Sequence, residues 1–236
     1  MIPHDILTLY TAKLIEYFIA LAFLALFVPF WRYATSERLA EQPALVAGAR
    51  RALKRVADVV EWFHVDPTVA YHPGHSWIRV DRPALVTVGM DDFAQKLVGP
   101  IAEFQMPHVG STVALGEPAW SMRVDGAAVA MRSPVDGVVA AVNPKVMSSP
   151  GVVKDDPYGE GWLLKVHAPR LDANQTSWLS GGVARRWIEE TTHELRRMMA
   201  PELGVVLQDG GAPVDGLAHA IDPERWEDIA KRFLLS

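Results

Sequence analysis

Three textures follow one another along the chain. Residues 17–31, YFIALAFLALFVPFW, run fifteen positions without a charge. Residues 43–63, PALVAGARRALKRVADVVEWF, place Leu45, Val46, Ala49, Leu53, Val56, Val59, Val60 and Phe63 on one helical stripe. Arg50, Arg51, Lys54 and Arg55 fall mostly off it. From Tyr71 the pattern breaks into short apolar runs: WIRV (77–80), ALVTVGM (84–90), STVAL (111–115), PAWSMRV (118–124), AAVAMR (127–132), GVVAAV (137–142) and GWLLKV (161–166). Gly, Pro and Asp separate them, which predicts strands joined by turns. Many short strands at close spacing predict a small β-sandwich or barrel. FAQKLVG (93–99) reads as a short helix with Asp91-Asp92 as its N-cap. Helical spacing returns at 183–199, VARRWIEETTHELRRMM, with apolar Val183, Trp187, Ile188, Leu195 and Met199. After a loop at 204–216, Asp222-Pro223 opens a last helix with Trp226, Ile229, Phe233 and Leu234 as its apolar stripe. So short a terminal helix needs a docking surface, for which another subunit is a candidate.

The uncharged run predicts a membrane anchor. A helix from Leu7 to Trp31 would be about 37 Å long, enough to cross a bilayer. Tyr10, Tyr17, Trp31 and Tyr33 suit the interfacial belts. A cleaved signal peptide fits less well, because residues 1–12 hold no Lys or Arg and the run ends in Pro-Phe-Trp-Arg. Arg32, Arg38, Arg50, Arg51, Lys54 and Arg55 follow the run, so the positive-inside rule places the C-terminal body in the cytoplasm. Lys13 and Glu16 share a helix face. A snorkelling interfacial pair is favoured over a contact with another membrane subunit, since charges near a span's end are cheaper than at its centre. The basic stripe of 43–63 fits an anionic membrane surface, the body or a partner equally.

Composition narrows the chemistry. The net charge of −5 over 236 residues argues against nucleic acid as a partner. There is no cysteine, which excludes disulfides, thiolate catalysis and cysteine-held clusters.

Residues 121–137, SMRVDGAAVAMRSPVDG, pair two apolar runs around Asp125-Gly126. Asp-Gly favours a two-residue type I′ hairpin, in which both turn residues take positive φ. The surrounding stretches resemble the glycine cleavage H-protein family. They are His75-Ser76-Trp77-Ile78, 88–95 (VGMDDFAQ), Pro107-His108-Val109-Gly110, Gly116-Glu117-Pro118, Ser133-Pro134-Val135-Asp136-Gly137, Val142-Asn143-Pro144 and 156–163 (DPYGEGWL), in the family's order. The resemblance covers about Tyr71 to Met199 and implies a barrel-sandwich hybrid with a C-terminal helix. It also implies a lipoylated lysine at the hairpin tip, whose arm carries an aminomethyl group or electrons between enzymes. Counted back from Ser133-Pro134-Val135, that place falls on Gly126, and one residue of slippage gives Asp125 or Ala127. None can form an amide with lipoate, and the body's lysines are Lys96, Lys145, Lys154 and Lys165.

Other candidates read as structural. His72 and His75 flank Pro-Gly without an obvious third ligand, so metal binding is disfavoured. Asp155, Asp156 and Glu160 are too few for a hard-cation site and fit a structural loop. Asp209 to Gly216 lacks the lysine and context of a phosphate cradle.

The expected fold class is mainly β with α. An N-terminal transmembrane helix (1–34) and an amphipathic linking helix (35–70) precede an H-protein-like barrel-sandwich hybrid (71–200) and a C-terminal extension with a terminal helix (201–236). The expected role is a non-catalytic, non-lipoylated subunit that anchors or scaffolds a bacterial inner-membrane complex, single-pass and with its body cytoplasmic; a respiratory or electron-transfer complex is one candidate. The anchor residues are Leu7, Lys13, Glu16, Tyr17 and Trp31, and the degenerate tip is Val124, Asp125, Gly126 and Ala127. The expected partners are other subunits and the bilayer, with no catalytic residue, metal or cofactor. The alternatives are a membrane-fusion-type periplasmic adaptor and a carrier lipoylated at an atypical lysine.

Overall fold

The structure, a computed structural model, describes residues 13, 16–31, 59–199 and 215–235. It divides into two units, Met1–Val56 and Ala57–Ser236. In the first, Lys13 and residues 16–31 are helical, the latter forming α1. Phe23 stacks on Phe27 and Phe27 on Trp31 at centroid separations of 5.6 and 5.8 Å. Lys13 Nζ lies 3.1 Å from Glu16 Oε2, both exposed. The membrane expectation is corrected here. No helix among the described residues is long and apolar enough to cross a membrane, so the transmembrane element of the fold class and the single-pass inner-membrane placement lack support. Leu7 and Tyr33 lie outside the described residues.

The second unit begins with a departure from the helical pattern. β1 (Val59–Val60) and β2 (Phe63–His64) form a tight antiparallel hairpin, with Glu61 at φ 55° between them. The same Val60 and Phe63 that fit a helical stripe are buried as strand residues, Phe63 with its ring 4.7 Å from that of Phe93. The β-branched pair Val59-Val60 favours that outcome. Residues 43–58 of the linking stretch lie outside the described residues.

The body is two antiparallel sheets sharing one core. β3 (Ala70–His72), β4 (Ser76–Arg82), β5 (Leu85–Met90), β7 (Thr112–Val113), β10 (Gly137–Val142) and β11 (Leu164–His167) form a six-stranded sheet ordered β3-β4-β5-β11-β10-β7. β6 (Glu103–Gln105), β8 (Pro118–Val124) and β9 (Ala127–Arg132) form a three-stranded sheet ordered β6-β8-β9. Trp77, Val86, Val88, Leu164 and Val166 of the first sheet join Phe104, Met122, Val129 and Met131 of the second in one buried cluster.

Helices close the unit. α2 (Asp92–Val98) starts at Asp91, whose carboxylate accepts from Ala94 N at 2.8 Å, the N-cap read from the sequence. α3 (Pro144–Ser148) and α4 (Val152–Asp155) fill the connection to β11. α5 (Leu171–Gln175) and α6 (Gly181–Met198) follow β11. The C-terminal segment forms α7 (Leu217–Ile221) and α8 (Trp226–Leu234). Asp222 Oδ1 accepts from Glu224 N and Arg225 N, so a turn precedes α8 and the helix begins later than Pro223. The terminal helix docks on its own chain: Trp226, Ile229, Phe233 and Leu234 are buried, and Phe233 lies 5.4 Å from Phe93 of α2.

Candidate functional site

β8 and β9 pair from Pro118↔Arg132 to Val124↔Ala127, which leaves two residues for the turn. These are Asp125 at φ 46° and Gly126 at φ 85°, both in the left-handed region that a type I′ turn requires. Gly126 suits its position because glycine adopts positive φ without the backbone strain that a Cβ brings. Val124 is buried, which fixes the register, since a slip of one residue would turn the hydrophobic face to solvent.

The tip itself is exposed. The Asp125 side chain is 73% accessible, and a Cβ built on Gly126 would meet nothing within 4 Å. Space for a longer side chain is therefore present at 126, while the amine is absent. Arg123, the nearest basic side chain in the sequence, donates from Nη1 to Gly126 O at 3.5 Å and lies 3.7 Å from Glu103.

The C-terminal segment reaches both ends of this hairpin. At the tip, His219 Nε2 of α7 lies 3.2 Å from Asp125 Oδ2. The approach lacks hydrogen-bond geometry, so Nε2 is buried without a hydrogen-bond partner and the contact is electrostatic when the ring is protonated. The imidazole stacks on Trp226 of α8, with centroids 4.2 Å apart. At the base, Arg132 of β9 donates from Nε and Nη2 to Leu235 O at 2.9 and 2.6 Å. Gly216 N donates to Lys96 O at 2.9 Å, and Lys154 pairs with Asp215. Spacing along the sequence gives no hint that 219 meets 125 or that 235 meets 132. The one available signal was the apolar stripe of α8, which demanded some surface.

The remaining lysines are engaged elsewhere. Among the described residues Lys13, Lys96, Lys145, Lys154, Lys165 and Lys231 each pair with a carboxylate, and all six lie on helices or in β11 rather than on a hairpin turn. The hydrogen bond from Lys154 to Asp215 raises the lysine's pKa.

The other sequence candidates serve the scaffold. His75 Nδ1 meets Asp91 Oδ2 at 2.8 Å in the buried interior, and its ring stacks on Phe93 at 4.2 Å. His72 Nδ1 accepts from Gly74 N at 3.0 Å, and burial together with Arg132 and His75 holds its pKa below the usual histidine value. Asp156 accepts from Gly159 N and Glu160 N, a closed turn. Asp136 accepts from Leu115 N at 2.8 Å and from Asn174 Nδ2 at 3.0 Å, and these bonds, the first above all, hold its carboxyl below the ordinary range.

Comparison with known proteins gives a consistent picture. A family profile described as glycine cleavage H-protein matches residues 69–191. The glycine cleavage system H protein of Mycobacterium leprae (strain Br4923) is 38% identical over 107 residues, spanning 45% of this chain and 81% of that protein. That of Rubrobacter xylanophilus is 42% identical over 98 residues, spanning 42% of this chain and 77% of that protein. A crystal structure of a glycine cleavage system H protein from Mycobacterium marinum aligns with a TM-score of 0.47 at 24% identity, covering 54% of this chain and 99% of that one. The profile match stops before residues 215–235, the segment that contacts the hairpin.

Proposed function

The chain belongs to the glycine cleavage H-protein family, and we propose that its β-module acts as a non-catalytic docking scaffold that carries no lipoyl group on the hairpin. One observation carries this reading: the two-residue turn is closed by Asp125 and Gly126. Lipoylation joins a carboxyl group to a primary amine, and neither turn residue offers one. The carrier's geometry also demands an arm at an exposed turn, so that the reacting group reaches its enzymes in a productive pose. Every described lysine sits instead on a helix or strand beside a carboxylate.

A scaffold role fits the rest of the unit. The hairpin is tied at its tip and base to α7 and α8, which suits a fixed surface rather than a swinging arm. The partners proposed are other protein subunits of a larger assembly, and the net charge of −5 disfavours nucleic acid.

Intact mass spectrometry tests the central point. The protein is expressed in cells supplied with lipoate and a lipoylating enzyme, beside a Gly126→Lys variant. The expected outcome is an unmodified wild-type chain and a lipoyl increment on the variant. A lipoyl increment on the wild type overturns the reading. Native purification tests the docking role: recovery as a lone monomer without co-purifying subunits counts against it.

A further inference from the structure

Asp-Gly occurs four times in the chain, at 125–126, 136–137, 209–210 and 215–216. The last of these and the first two lie in the described residues, and their surroundings differ in the features that govern one spontaneous reaction. In that reaction the glycine amide nitrogen attacks Cγ of the preceding aspartic acid. A C–N bond forms, the bond from Cγ to its hydroxyl breaks, and one water leaves, giving a five-membered succinimide. Water then opens the ring at either carbonyl. One opening restores aspartate, and the other gives isoaspartate, in which the main chain runs through the former side-chain carboxyl. One water leaves and one returns, and no oxidant or reductant is needed.

We infer that Asp125-Gly126, at the exposed turn of the β8–β9 hairpin, is the favoured site of isoaspartate formation among the three described pairs. The Asp125 side chain is 73% accessible, so water reaches both the carboxyl and the ring formed from it. The Gly126 amide makes no backbone hydrogen bond among the described residues, and no atom lies within 4 Å of where its Cβ would stand. The attacking nitrogen is thus neither tied nor covered.

The other two pairs are restrained. Both Asp136 oxygens accept hydrogen bonds, one from Leu115 N and one from Asn174 Nδ2. Gly137 is in β10 and pairs with Val113 of β7, so ring closure there has to distort the sheet. Asp215 pairs with Lys154, and the Gly216 amide that would attack already donates to Lys96 O at 2.9 Å. Closing a succinimide at either place first breaks contacts that hold α4, α7 or the sheet.

The product would change the tip. Isoaspartate adds one main-chain atom to a turn that has room for two residues, so the Val124↔Ala127 pairing is lost. It also withdraws the side-chain carboxylate from His219 and leaves a new main-chain-derived carboxylate in solvent. That group is the kind that a carboxyl methyltransferase using S-adenosylmethionine accepts.

The test ages the purified full-length protein at neutral pH and physiological temperature, with a parallel sample in concentrated urea. Isoaspartate is read by enzymatic methyl transfer and placed by peptide mapping. In the folded protein, position 125 is expected to lead 136 and 215 by several-fold, and in urea the three rates converge. A folded sample in which 136 or 215 equals or overtakes 125 overturns the inference. So does a lead at 125 that persists undiminished in urea, since the fold would then not be its cause.

Discussion

His219 Nε2 lies 3.2 Å from Asp125 Oδ2, which joins the C-terminal segment to the turn of the β8–β9 hairpin. The carboxylate is 73% exposed, so solvent screens the pair and its contribution is small. Asp125→Asn keeps a residue suited to a type I′ turn and is expected to change stability by less than about 1 kcal/mol. Phe233→Ala removes a buried ring packed 5.4 Å from Phe93 and is expected to cost about 3–5 kcal/mol. Urea unfolding of the two variants checks the contrast. If they lose equally, the segment is held by charge and not by the apolar face of α8.

Gly126 sets a second expectation. Its φ of 85° disfavours any residue with a Cβ, while its surroundings are open. Gly126→Ala and Gly126→Lys should therefore lose a similar amount, about 1–2 kcal/mol, from backbone strain alone. Thermal or urea midpoints measure it. A much larger loss for lysine than for alanine would mean that the open space above the tip is occupied.

Asp91 does two jobs at once. Oδ1 accepts from Ala94 N to cap α2, and Oδ2 meets His75 Nδ1 at 2.8 Å, with both side chains 1% exposed. Asp91→Ala loses the cap, about 1 kcal/mol, and strands a buried imidazole nitrogen, about 1–3 kcal/mol more. Asp91→Asn retains an acceptor for one of the two donors and is expected to lose less. Unfolding of the pair together with a His75→Ala, Asp91→Ala double variant separates the two contributions.

These sites show which parts of the fold the sequence made legible. The β8–β9 hairpin was readable because two apolar runs flank Asp-Gly, a local signal that fixes both turn and register. The Asp91 cap was readable for the same reason, since its acceptor and donor are three residues apart. β6 (EFQ) was not, because three residues, one of them buried, give no alternation to detect. The β1–β2 hairpin was misread as helix: Glu61 takes φ 55° without the Gly or Asn that normally announces such a turn, while Val59, Val60 and Phe63 also satisfy helical spacing. The site's composition was legible, with Asp125 and Gly126 at the tip. Its connection to His219 and Leu235 was not, because docking of a terminal helix is decided by tertiary packing and leaves only a stripe in the sequence.

Stability should fall in two steps as the solution is acidified. His72 is buried, and its Nδ1 accepts from Gly74 N, which a protonated Nδ1 cannot do. Burial first, then Arg132 and His75, hold its folded pKa below the ordinary histidine value of 6.5. Below pH 6.5 the unfolded chain therefore takes up a proton that the folded chain refuses, so stability falls with pH until the folded pKa is reached. The second step belongs to carboxylates. Asp136 is held below 3.8 by hydrogen bonds from Leu115 and Asn174. At Asp81, burial pushes the pKa up, but hydrogen bonds from Thr87 and Lys165 outweigh it and leave it below 3.8. Their contributions are complete above 3.8 and are lost as pH drops through the folded values. His72→Asn places an acceptor Oδ1 where Nδ1 accepts, and it does not titrate. Urea unfolding across the acid range should show the variant declining less than the wild type between pH 6.5 and the carboxylate step. A variant that keeps the wild-type slope in that window would assign the first step to another histidine.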